Sequence, residues 1–182
     1  MARVSTRENK NIYQLTRENL KLTRETAREL LESIPPERLA QIENERSFPH
    51  PDEVLTMAEK YKKPDLCNYY CANQCPIGQG YVPEIKIKDL SQIVLEMLAS
   101  LNAMNKRKDR LIEITADGKI SDDELEDFLY IQEELERISI TVETLQLWAE
   151  KMLAAGVIDE ARYEAGYFAP KVKINCCIFP IL

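Results

Sequence analysis

At 182 residues and 45% apolar composition the chain can bury one ordinary core, or a small core with an appendage, which excludes a disordered polypeptide. No apolar run approaches the roughly eighteen residues of a membrane span, and the opening "MARVSTRENKNIYQL" lacks the apolar stretch of a secretory signal, so a cytoplasmic protein without membrane contact is expected. The net charge of -7 is uneven, with 12 basic and 11 acidic side chains in residues 1–63 against 12 and 20 in residues 64–182, so overall acidity does not exclude a nucleic-acid partner for the N-terminal part.

Apolar spacing and capping residues predict five short helices before residue 76. The first covers about Asn11 to Asn19, with Ile12, Leu15 and Leu20 inward. The second opens at Thr23, a good N-cap, and carries Ala27, Leu30 and Leu31. Pro36 suits the first position of the third, where its missing N–H is no loss, and Leu39 and Ile42 form the buried pair. The fourth follows Pro51 with Val54, Leu55, Ala58 and Tyr61, and the fifth begins at Pro64 and ends before "CPIGQGYVP". That stretch holds Pro76, Gly78, Gly80 and Pro83 and reads as a linker, 76–88, closing a first domain over 1–75.

Two long helices follow, joined at "ADGK", as an antiparallel hairpin over 89–155. Leu90, Ile93, Val94, Met97, Leu98 and Leu101 set the stripe of the first; Phe128, Leu129, Leu135, Val142 and Trp148 contribute to that of the second. Two helices alone leave one apolar flank uncovered, so the hairpin should pack on the first domain or on a second copy. The tail, 156–182, ends in the strand-like "VKINCCIFPIL". No internal repeat or low-complexity tract is present. The expected fold class is all-α, a five-helix domain followed by a long antiparallel helical hairpin.

The run "IYQLTRENLKLTRETARELLESIPPERLAQIENERSFPHPDEVLTMAEKY" resembles the Xre, or Cro/repressor-type, helix-turn-helix family. The matching features are Arg17 in the first helix, Leu22-Thr23 opening the second, Ala27 and Leu30 within it, Ile42-Glu43 in the third, and Pro49 before the fourth. The resemblance spans roughly residues 10 to 63. The inter-helix turn offers Glu32 and Ser33 where the family usually has Gly, and is one residue longer than typical. The resemblance implies a sequence-specific transcriptional regulator of repressor type, which binds a palindromic site on double-stranded DNA as a homodimer held by the C-terminal hairpin.

At about 100° per residue, the side of the third helix opposite Leu39 and Ile42 collects Glu37, Ala40, Gln41 and Asn44, with Arg38 and Arg46 at its flanks. Those residue types suit base edges: Gln or Asn pairs with adenine, Glu accepts from cytosine, and Ala touches a thymine methyl. Arg17, Lys21, Arg24, Arg38 and Arg46 are the expected phosphate contacts, setting affinity and register without setting sequence. The alternative is an antitoxin-like or adaptor module that binds a protein or peptide effector through this face and does not read DNA; Glu37, Glu45 and, with less weight, Glu43 favour it, since phosphates repel carboxylates.

Cys67, Cys71 and Cys75 fall at intervals of four, on one helix face, with Cys176-Cys177 in the tail. A rise of about 12 Å from Cys67 to Cys75 is too long for one ion, and buried cysteine behaves as a small apolar residue, so core packing is expected rather than a metal site. The segment Glu113–Glu124 superimposes on a calcium loop with Gly118 at its sixth position, but a helix end at Gly118 and a capping box of Ser121 with Glu124 explain it as well. His50, the single histidine, stands between two prolines as a helix-entry residue. No Gly-rich phosphate loop or paired-carboxylate site stands out, so neither an enzyme nor a cofactor is expected.

Overall fold

The computed structural model describes residues 9–166. They are helical apart from turns and connecting segments, with no strand among the described residues, and the strand-like ending "VKINCCIFPIL" lies outside them. No helix among them is long and apolar enough to cross a membrane. The chain divides into two compact units, one of residues up to Glu84 together with those from Glu150 onward, the other Ile85–Ala149.

The first unit contains α1 (Ile12–Asn19), α2 (Arg24–Leu31), α3 (Pro36–Glu43), α4 (Pro51–Lys60), α5 (Asp65–Asn73) and α6 (Gly78–Tyr81). Their starts are set by local chemistry. Asn11 caps α1 through Oδ1, which accepts from the Gln14 N–H at 3.0 Å, while its Nδ2 donates to the Ile42 carbonyl at 2.7 Å and ties the end of α3 to the start of α1. Thr23 and Thr26 exchange side-chain to backbone hydrogen bonds in a reciprocal box at α2. At α4 the cap residue is His50, whose backbone N–H donates to Glu53 at 2.7 Å.

The ends are unusual, because the residues held at positive φ after α1, α3 and α4 are Lys21, Glu45 and Lys62 rather than glycines. At α3 the Glu45 N–H donates to the Ile42 carbonyl at 3.0 Å and the Arg46 N–H to Gln41 at 2.9 Å, the paired bonds of a Schellman ending. The α2–α3 turn is tighter. Glu32 sits at φ 49°, ψ -52°, and the Leu31 carbonyl accepts from the Ser33 N–H across it, a strained γ-turn. Glycine would relieve that strain at some cost in unfolded-chain entropy, so Glu32→Gly should raise the unfolding free energy by about 1 kcal/mol. A urea titration showing a lower midpoint would contradict the strain.

Ala27 and Leu31 of α2, Leu39 and Ile42 of α3, Val54 and Met57 of α4, and Leu66 of α5 form one core with Tyr13, Ile34 and Tyr61. The inward face of α1 differs from the expected one. Leu15 and Leu20 are 45% and 44% exposed, while Tyr13, Gln14, Thr16 and Arg17 are buried. A tyrosine ring and an arginine stem cover more core than a leucine when their polar ends are satisfied. Tyr13 meets Tyr69 edge-on and donates to Gln74 at 2.9 Å, and Arg17 finds a carboxylate. Leu30 and Leu55 likewise lie at the surface.

The expected linker is partly helical. Its Gly78 is buried, so close to α5 that a Cβ would stand 2.1 Å from the Cys71 carbonyl oxygen. Val82 packs on the core, and Asn68 Nδ2 donates to the Pro83 carbonyl at 3.0 Å, extending the first unit past residue 75.

The second unit contains α7 (Leu90–Ile114) and most of α8 (Leu125–Ala154), with α9 (Glu160–Gly166) beyond. Asp89 caps α7 by accepting from the Gln92 N–H. Near the connecting turn Asp127 of α8 accepts from Arg107 at 2.9 Å and Arg110 at 2.7 Å, and the Arg107 guanidinium lies 4.3 Å from the Tyr130 ring centroid. Ile93, Ile114 and Ile131 are buried, whereas Leu90, Val94, Leu98, Leu101, Leu129 and Leu135 of the expected stripes are exposed.

Candidate nucleic-acid interface

Helix α3 follows the tight turn after α2 and rests on the core through Leu39, Ile42 and Glu43. Pro35 precedes it in an extended conformation and Pro36 occupies its first turn. The residues expected to touch bases lie on the other side: Glu37 and Gln41 are exposed, and Ala40 and Asn44 half-buried. Glu37 also sits in the first turn, where a carboxylate offsets the helix dipole. Asn44 is the C-cap, and its Nδ2 donates to the Ala40 carbonyl at 2.7 Å, so that donor serves α3 itself.

Beneath this face lies a buried ion network. Glu43 accepts from Arg17 Nε at 2.6 Å and Nη2 at 2.8 Å, and from Arg24 Nε at 2.8 Å, while Arg17 Nη1 donates to the Leu22 carbonyl at 2.6 Å. The Glu43 side chain is fully enclosed and that of Arg17 only 6% exposed. Burial opposes the charge of Arg17, but its hydrogen bonds and charge pairing with Glu43 outweigh that and hold its pKa above the ordinary arginine value. Tyr61, buried beside the pair, has its phenol pushed far above the tyrosine range by burial first and by Glu43 second.

Two of the expected phosphate ligands, Arg17 and Arg38, are engaged within the domain. Arg17 spends its guanidinium inside the domain, joining α1 to α3 and to the α1–α2 connection. Arg38 forms a two-pronged pair with Glu53, both bonds 2.7 Å, and donates to Ser47 Oγ at 2.6 Å and the Phe48 carbonyl at 2.9 Å. It clamps α3 to α4 and the loop between them. Both side chains satisfy buried or half-buried carboxylates through charge-assisted hydrogen bonds.

Lys21 and Arg46 are exposed, with no ion pair among the described residues, and Arg24 is one-third exposed with only Nε on Glu43. Arg28, which spacing alone did not single out, is exposed on α2. Its signal was available: it shares α2 with Arg24 and falls off the Ala27–Leu31 stripe. No family model, curated protein or solved structure matches the chain.

Among the described residues the remaining candidates form no second site. Cys71 is buried, and Cys67 and Cys75 pack against the core. Among the described residues no group of three or more His, Cys, Asp or Glu is arranged to hold a metal ion, and Cys176 and Cys177 lie outside them. In the 113–124 segment Gly118 takes φ 71°, Asp117 accepts from the Lys119 N–H, and Ser121 N–H donates to Glu124, so its polar groups serve the turn and the approach to α8.

The clamp at Arg38 gives an acid signature. Burial alone would raise the pKa of Glu53, but the Arg38 and His50 hydrogen bonds outweigh it and hold the carboxyl below its ordinary value. A depressed folded pKa contributes stability that is complete above the unfolded value of about 4.3 and is lost as pH falls through the folded one. Stability should therefore decline below about pH 4, and Glu53→Gln should flatten that decline; an identical slope in parent and variant would contradict the assignment.

Proposed function

We propose that residues 11–63 form a helix-turn-helix unit of Cro/repressor type that places α3 in the major groove of duplex DNA, and that the protein is a transcriptional regulator acting as a repressor. The observation that supports this reading best is the two-sided build of α3. One side is locked by Leu39, Ile42 and the Arg17–Glu43–Arg24 network, and the other offers Glu37, Ala40 and Gln41 outward on a helix that cannot easily shift. In this reading Gln41 and Glu37 read base edges, while Lys21, Arg24, Arg28 and Arg46 hold phosphates.

The reading separates specificity from affinity. Gln41→Ala should cost about 1–3 kcal/mol on the preferred duplex and relax the preference at one base pair. Lys21→Ala/Arg46→Ala should weaken all duplexes alike and make the salt slope shallower by about 2. Equal losses on every duplex in both variants would contradict base reading by Gln41. A protein-binding adaptor is the second reading, favoured by the internal commitment of Arg17 and Arg38 and the exposed Glu37 carboxylate. It requires capture of a protein or peptide with little salt dependence.

A further inference from the structure

Among the four cations assigned to phosphate, Arg24 is held differently from the rest. Its Nε donates to Glu43 Oε2 at 2.8 Å, and its terminal nitrogens, Nη1 and Nη2, make no hydrogen bond or ion pair among the described residues. Lys21, Arg46 and Arg28, one turn further along α2, are exposed and have no such anchor among the described residues. The carboxylate that holds Arg24 is itself immobile. Glu43 closes α3, is fully enclosed, and takes two hydrogen bonds from buried Arg17, at 2.6 and 2.8 Å. A guanidinium fixed at Nε is restricted in its plane, and its outer edge then presents the two terminal nitrogens side by side, the fork that meets two oxygens of one phosphate.

Charge balance leaves that edge attractive to an anion. Lys10 and Glu18 extend the network beyond Arg17, so three cations face two carboxylates, and Arg24 is the most exposed of the five. Neighbouring Glu25 is exposed, and solvent and salt screen its charge. The cost of ordering also falls differently on the four cations. Lys21, Arg28 and Arg46 lose side-chain freedom when a phosphate binds, whereas Arg24 has lost much of it when the domain folds. A lysine at position 24 would keep the charge but lack both the Nε–H that reaches Glu43 and the planar fork.

We propose that Glu43 is a positioning residue that presets Arg24 as a two-nitrogen clamp for one phosphate of duplex DNA, so that the residue closing α3 also fixes where α2 grips the strand. The inference rests on the reading of α3 as a DNA-binding helix. Titration of the full chain with a short duplex of mixed random sequence, at two salt concentrations, tests it. Arg24→Lys should bind about tenfold more weakly than the parent with an unchanged salt slope, because geometry is lost and charge is kept, whereas Arg28→Lys and Arg46→Lys should stay within about twofold. Arginine side-chain NMR of the parent supplies a reading that needs no substitution and decides alone if Arg24→Lys fails to fold. The Arg24 Nε–H should exchange slowly in the free protein, unlike that of Arg28, and should persist while the Arg24 Nη protons shift on addition of the duplex. A parent that binds no duplex removes the DNA reading and the clamp with it. A parent that binds while Arg24→Lys matches it or has a shallower salt slope, or an Arg24 Nε–H that exchanges as fast as that of Arg28, overturns the clamp and leaves the DNA reading standing.

Discussion

Replacing Arg17 by alanine is expected to destabilise the N-terminal unit by about 3–5 kcal/mol, the usual cost of breaking a buried pair. The variant would leave the enclosed Glu43 carboxylate with Arg24 alone, a partner one-third exposed and bonded through a single nitrogen, and would orphan the Leu22 carbonyl. Since domains of this size are stable by about 5–15 kcal/mol, that loss is a large part of the total and should lower the unfolding midpoint well below the parent's. Arg17→Met combined with Glu43→Leu should cost markedly less, because no charge is then left buried. Urea titrations of the two variants decide the matter. If Arg17→Ala unfolds at the parent's midpoint, Arg17 is a surface cation and its role as a phosphate ligand returns.

Gly78→Ala should cost about 3 kcal/mol, at the upper end of overpacking penalties. The new Cβ would stand 2.1 Å from the Cys71 carbonyl oxygen and 2.9 Å from its Cα, both backbone atoms of α5 that have no rotamer to change. Helix α6 would have to lift away, carrying Val82 off the core and loosening the Asn68–Pro83 hydrogen bond. Gly80, two residues on, has nothing within 4 Å of an added Cβ, so Gly80→Ala should be neutral or gain a few tenths of a kcal/mol from reduced chain entropy. Thermal unfolding of the pair separates close packing from a general intolerance of this segment. Equal midpoints for the two would show that α6 does not press on α5.

Local punctuation made the first five helices legible. Asn11, Thr23, Pro36, Pro51 and Pro64 each mark a start within a residue of where a helix begins, since a cap or a fixed φ acts on its immediate neighbours. The inward side of α3 followed from Leu39 and Ile42 for the same reason. What periodicity could not disclose is pairing across distance. Arg17 and Glu43 are 26 residues apart, and Arg38 and Glu53 are 15 apart, so each arginine looks like surface charge until the fold supplies its carboxylate. The inward turn of Tyr13 and Arg17 in place of Leu15 has the same origin, because amphipathic side chains count as polar in a hydrophobic pattern and as core in a packed one. Glycines and prolines at 76–83 signalled a break, yet Gly78 is there for close approach of two helices. On α7 and α8 the apolar pattern identified the helices but not which leucines would stay exposed, since two helices cannot enclose that many.

Whether the outward face of α3 reads DNA is decided by enriching bound duplexes from a random library. Bound duplexes should converge on one half-site sequence, with binding to the winner falling steeply between two salt concentrations and the preferred base changing in Gln41→Ala. A library that stays random after repeated rounds, or a winner bound equally well by parent and Gln41→Ala at every position, would contradict it.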